Sequence, residues 1–129
     1  MDRDNRIAVD ISGRHEDEGR YLMVCAAVLV SVSSDSIEEV RSMRFNVDEG
    51  TREPTFEILI DTVNDTVSKI QEDSAVVVTE KGEFYNKPQW VVEGALGHGF
   101  KYVETIGERK AVGIAHHAAY AARRLLLEI

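Results

Sequence analysis

Apolar residues along this chain fall into short runs separated by polar punctuation, and their periods predict five strands and three helices. Alternation from Arg6 to Ile11 sets Ile7, Val9 and Ile11 on one face of a first strand, with Ala8, Asp10 and Ser12 on the other. After the polar stretch Glu16-Asp17-Glu18-Gly19, a second strand is expected from Arg20 to Val32. Its continuous apolar centre, Met23 to Val30, suits a strand buried on both faces. Ser33-Ser34-Asp35-Ser36 reads as a turn, and Ile37 to Val47 as a third strand folded back on the second. Ser36 and Glu39 offer a helical capping box for the same stretch, but so short a turn favours a hairpin.

A helix is predicted from Pro54 to Ile70, where Phe56, Leu59, Ile60, Val63, Val67 and Ile70 recur at helical spacing behind an N-terminal proline. Ser74 to Thr79 reads as a fourth strand with Val76, Val77 and Val78 fully buried. A short helix from Lys87 or Pro88 to Leu96 is ended by Gly97 and Gly99. Phe100 to Ile106 reads as a fifth strand closed by Gly107. Glu108 to Leu127 is the last helix, where Val112, Ala115, Ala119, Ala122 and Leu126 form a face of mostly small residues suited to close approach to a sheet. The order βββαβαβα implies an α/β fold, a mixed five-stranded sheet with helices on both faces, in one domain spanning residues 1–129.

Composition narrows the class. With 43% hydrophobic and 29% charged residues the chain is expected to fold, and one cysteine excludes an internal disulfide framework. Cys25 lies within the apolar run and reads as inert core. The polar opening Met1-Asp2-Arg3-Asp4-Asn5-Arg6 and a longest apolar run of only Leu22 to Val30 point to a cytoplasmic protein with no membrane association. A net charge of −8 argues against broad adsorption to nucleic acid, although acids that hold cations contribute to that total. Arg109, Lys110, Arg123 and Arg124, opposed by Glu128, are the places to contact phosphate, unless they only complement the dipole of the last helix.

Asp10 carries most of the functional signal, because a carboxylate inside Ile7-Ala8-Val9-Asp10-Ile11 must be paired, hydrogen-bonded or bound to a metal. If the first and fourth strands are neighbours, Asp10 and Glu80 arrive at adjacent strand ends. Glu57 on the first helix, with Glu53 as its alternative, and Glu104 inside the fifth strand could join them; Glu108 stands at the start of the last helix. Clustered carboxylates call for hard divalent cations, Mg²⁺ or Mn²⁺, which activate water and stabilise a leaving phosphodiester oxygen. The counter-reading makes these acids ordinary residues at element ends. His116, four residues beyond Val112, can face the sheet and assist proton transfer; His117 points about 100° away. His15 and His98 are weaker, exposed candidates, and Trp90 and Tyr85 offer either a stacking surface or packing.

The element order resembles the ribonuclease H-like fold, whose active acid lies on the first strand. Val9-Asp10-Ile11-Ser12-Gly13-Arg14-His15 followed by Val24-Cys25-Ala26-Ala27-Val28 is similar to the opening of ribonuclease H of the second type. That resemblance implies Asp10 as a metal ligand and Ser12-Gly13-Arg14 as the loop beside the substrate backbone. The family's second acid falls on Ile11, which cannot ligate a metal. Glu80 takes the place of the fourth-strand aspartate, and Glu104 falls near the last-strand aspartate. Ile7 to Arg14 and Tyr21 to Val28 also resemble a small uncharacterised archaeal family.

Two functions are therefore expected to compete. One is a divalent-metal-dependent nuclease or phosphodiesterase with nucleic acid as partner, in which Asp10 and Glu80 hold metal with Glu57 or Glu104 and His116 moves protons. The other is a non-catalytic binding or assembly domain that keeps the fold without a complete acidic site. An exposed sheet edge or the small-residue face of the last helix is the candidate surface for a homodimer.

Overall fold

The computed structural model describes residues 4–72 and 74–128; the polar start at Met1 to Arg3 lies outside the described residues. The chain forms β1 (Asp4–Ser12), β2 (Tyr21–Val32), β3 (Ile37–Gly50), α1 (Phe56–Val67), β4 (Val76–Thr79), α2 (Gln89–Leu96), β5 (Phe100–Tyr102) and α3 (Ile106–Leu127). One mixed sheet runs in the order β3-β2-β1-β4-β5. β1, β2 and β3 pair antiparallel, whereas β4 runs parallel to β1 and β5 parallel to β4. The ambiguous third segment is a strand, its backbone groups taken up by the ladder with β2.

The period-two pattern of β1 decides which helix goes where. Ile7, Val9 and Ile11 face one core with Leu59, Ile60 and Val63 of α1 and Val92 and Leu96 of α2. Ala8, with Val28, Val30 and Val78, faces the second core against Ala111, Val112 and Ala115 of α3. Asp10 shares this second face, so the last helix is the element that covers it. Cys25 is buried in the first core, where desolvation pushes its thiol up to about 12, and it has no nucleophilic role there.

Three expectations need correction. Val76 is only half-buried, because β4 is short and its first residue is barely inside the sheet. β5 stops at Tyr102 rather than Ile106, so Glu104 is not inside a strand. Thr105 caps α3 by accepting the Glu108 amide while the Glu108 side chain returns to the Thr105 amide, and this reciprocal box starts the helix early. Gly107 accordingly sits in the first turn of α3 instead of closing a strand. A Cβ there would meet the Ser33 carbonyl at 2.1 Å, so glycine lets α3 seat against the β2–β3 turn.

Candidate functional site

Parallel pairing of β1 with β4 matches Arg6 with Val76 and Ala8 with Val78. Carried on two residues, that offset sets Asp10 level with Glu80 at the C-terminal ends of the two strands. Both line a pocket of about 370 Å³ with Arg109, Val112, Gly113 and His116 of α3. Asp10 is only 5% exposed. Its Oδ2 lies 3.2 Å from Nδ1 of His116, whose side chain is 60% exposed. An ionised carboxylate only accepts hydrogen bonds, so with Asp10 charged the pair assigns the proton to Nδ1 and leaves Nε2 free to exchange one.

A third acid, missed by the sequence reading, completes this corner. Glu83, in the loop after β4, is as buried as Asp10, and its Oε1 accepts the Ile11 amide at 2.8 Å. Arg14 donates to the Glu83 carbonyl oxygen and stands near both carboxyls. Desolvation raises Asp10 above the usual aspartate range; Glu80 adds to the rise, while His116 and Arg14 oppose it. Glu83 is pushed up to about 8, first by burial and then by the Asp10 charge, against the pull of Arg14 and the Ile11 amide. Nothing in the loop's spacing signals a buried acid; the neighbouring Phe84, an aromatic in a polar stretch, is the one hint that this segment turns inward.

The displaced Glu83 carboxyl makes stability pH-dependent. Between the ordinary glutamate range and about 8, the folded protein holds a proton that the unfolded chain has released, so stability falls as pH rises through this window. Asp10 slopes the same way. In EDTA buffer, Glu83→Gln is expected to flatten the slope and to be about 1–3 kcal/mol more stable relative to wild type at pH 9 than at pH 5. Parallel urea-unfolding curves for the two proteins at both pH values would contradict this.

The remaining candidates are dispersed. Glu57 is exposed on α1, across the sheet from Asp10. Glu104 is exposed and pairs with Lys101 at 3.2 Å. Glu53 and His15 are exposed, and His98 is half-buried rather than exposed, with Nδ1 hydrogen-bonded to the neighbouring Gly99 carbonyl. Among the described residues, no three His, Cys, Asp or Glu side chains converge into a preassembled metal site. Of the basic residues near the C-terminus, Arg109 reaches the pocket. Lys110 bonds the Asp35 carbonyl, and Arg123 donates to the Leu22 carbonyl at 2.7 Å. Gly13, at φ +95°, is required beneath Arg123, where a Cβ would lie 2.0 Å from the Leu22 carbonyl and 2.3 Å from Arg123 Nε.

A larger cleft of about 420 Å³ lies between the end of β3 and α1. Asp48, Glu49, Asp61 and Asp65 line it, and none of the buried acids Asp10, Glu83 and Glu108 reaches it. No helix among the described residues is long and apolar enough to cross a membrane.

No solved structure matches the chain. It is 32% identical over 122 residues to an uncharacterised protein of Methanocaldococcus jannaschii, an alignment covering 95% of this chain and 96% of the relative. A family model described as an uncharacterised protein conserved in archaea (DUF2209) matches residues 7–127. With nearly its whole length matched in both comparisons, the chain belongs to this archaeal family.

Proposed function

We propose that this chain is a ribonuclease H-like domain that cleaves a phosphodiester bond of nucleic acid with the help of Mg²⁺ or Mn²⁺. The observation that carries the reading is the meeting of Asp10 on β1 and Glu80, directly after the parallel neighbour β4, in one pocket with His116 and Arg109. The element order and an acid on the first, central strand support the ribonuclease H-like assignment.

The donor set suits a hard cation. Asp10 and Glu80 repel one another, and burial first, then neighbouring carboxylate charge, holds Asp10 and Glu83 above their usual ranges, so a cation here would offset the repulsion. Two protein carboxylates, Asp10 and Glu80, suffice for Mg²⁺, which keeps several waters and takes substrate phosphate as further ligands. When bound, such an ion lowers the pKa of water and stabilises the leaving oxygen. His116, oriented through Nδ1 by Asp10, takes or returns a proton at Nε2. Arg109 meets the phosphate charge, while Glu83 stays protonated and holds the Ile11 amide, fixing the end of β1 beneath Asp10. Labelled single-stranded, hybrid and branched nucleic acids incubated with Mg²⁺ or Mn²⁺ test the proposal. Cleavage that stops with EDTA is expected, and intact substrates under every condition would refute it.

A second reading, an assembly domain without catalysis, is favoured by one feature of the edge strand. Val40, Phe45 and Val47 of β3 pair with Val30, Ala26 and Val24, share one sheet face and are all exposed. A homodimer closed over that stripe, with no metal site at Asp10, is the form this reading takes.

A further inference from the structure

The loop between β4 and α2 is pinned from within and displays aromatic and cationic groups outward. Glu83 and Phe84 are buried, with Phe84 edge-on to Phe56 and to Phe100 at centroid distances of 6.1 and 5.8 Å. Directly after them Tyr85 and Asn86 adopt φ values of +54° and +59°, a costly conformation for two successive residues other than glycine. The strained turn leaves the Tyr85 ring partly exposed, with its hydroxyl donating to the Pro54 carbonyl. Arg14 lies 5.6 Å from the centre of that ring while also bonding the Glu83 carbonyl, so it links Tyr85 to the Asp10 corner.

Trp90, in the first turn of α2, is 76% exposed, which wastes the burial of the chain's largest apolar side chain. Its position is fixed by the sheet. Tyr102 ends β5 opposite Thr79, and its hydroxyl donates to the Lys87 carbonyl at 2.6 Å. The start of α2 therefore sits at the same end of the parallel strands as Asp10 and Glu80. On a chain of net charge −8, Arg14 lies over the Tyr85 ring, and Lys87, three residues before Trp90, sets its Nζ 5.6 Å from the centre of the Phe56 ring.

We infer that Tyr85 and Trp90 form a stacking platform for unpaired nucleobases, so that the strand delivered to the Asp10 pocket is single-stranded. Exposed aromatic faces, one of them with a cation over it, match a flexible strand, which offers π-faces and phosphates together, whereas a duplex hides its base faces in its own stack. The inference takes its substrate class from the cleavage reading but is tested without cleavage.

Trp90 is the chain's single tryptophan and reports on its own site. Wild-type protein in EDTA is titrated with a short oligothymidylate, an oligouridylate and a duplex of equal length, following indole emission and the anisotropy of a labelled strand. Single strands are expected to quench the indole and to bind at least about tenfold more tightly than duplex. Trp90→Ala should weaken single-strand binding about five- to a hundredfold, Trp90→Phe should recover most of it, and Lys87→Gln should weaken it and reduce its salt dependence. An indole untouched by single strands, or unchanged single-strand affinity in Trp90→Ala, overturns the platform even if metal-dependent cleavage is found. Quenching in a protein that cleaves nothing upholds the platform and overturns the cleavage reading.

Discussion

Glu108→Ala is expected to remove about 3–5 kcal/mol of stability, a large share of what holds a domain of this size folded. The Glu108 side chain, 1% exposed, takes Arg6 Nε at 2.8 Å and Lys101 Nζ at 2.9 Å. It also accepts the backbone amides of Glu104 and Thr105 at 3.0 and 3.2 Å. One carboxylate thus joins β1, β5 and the first turn of α3, the helix that brings His116 to Asp10. Without it, Arg6 and Lys101 keep their largely buried positions and lose their common partner.

The pH dependence of this contact has the opposite sign to that of Glu83. Burial alone would raise the Glu108 carboxyl, but hydrogen bonds from Arg6, Lys101 and the two amides outweigh it and hold it at about 2. Its stabilisation is therefore present above the ordinary glutamate range and is lost as pH falls from there toward about 2. Urea unfolding at neutral and acid pH measures both effects, with the wild-type advantage over Glu108→Ala shrinking in acid. A neutral-pH difference below about 1 kcal/mol would show that the network does not hold α3 in place.

Under the proposed function, Asp10→Asn is expected to lower metal-dependent cleavage by about 10²–10⁴-fold, because losing one anionic ligand would remove several kcal/mol of charge stabilisation from the reaction. Stability should move the other way. Desolvation already disfavours the Asp10 charge, and asparagine keeps the shape and can still hydrogen-bond His116, so the variant should be as stable as wild type or about 1 kcal/mol more so. Loss of rate with retained stability separates a working carboxylate from a structural one. If Asp10→Asn unfolds more easily and leaves cleavage intact, the acid serves the fold.

Most of this architecture is legible in the sequence, since strands and helices here bury faces whose period survives in the text. Ile7, Val9 and Ile11 alternate because two separate layers cover β1, and Met23 to Val30 runs apolar because β2 is covered on both sides. The ends of elements are less legible. Val103 to Ile106 has strand composition, yet the capping pair Thr105 and Glu108 starts a helix within it, displacing Glu104. The meeting of Asp10 and Glu80 follows from adjacent parallel strands, so pattern reasoning could reach it. Glu57 fails because its helix covers the opposite face, which no local spacing reveals. Glu83 is invisible for a related reason. Its burial comes from the path of an irregular loop anchored by Phe84, and loops carry no period.

The most direct test of the central claim is Mn²⁺ binding to the intact protein, followed by calorimetry or electron paramagnetic resonance, in wild type, Asp10→Asn and Glu80→Gln. A shared ion site predicts saturable binding that weakens at least about tenfold in either variant. Absence of binding, or binding that neither substitution disturbs, would contradict it.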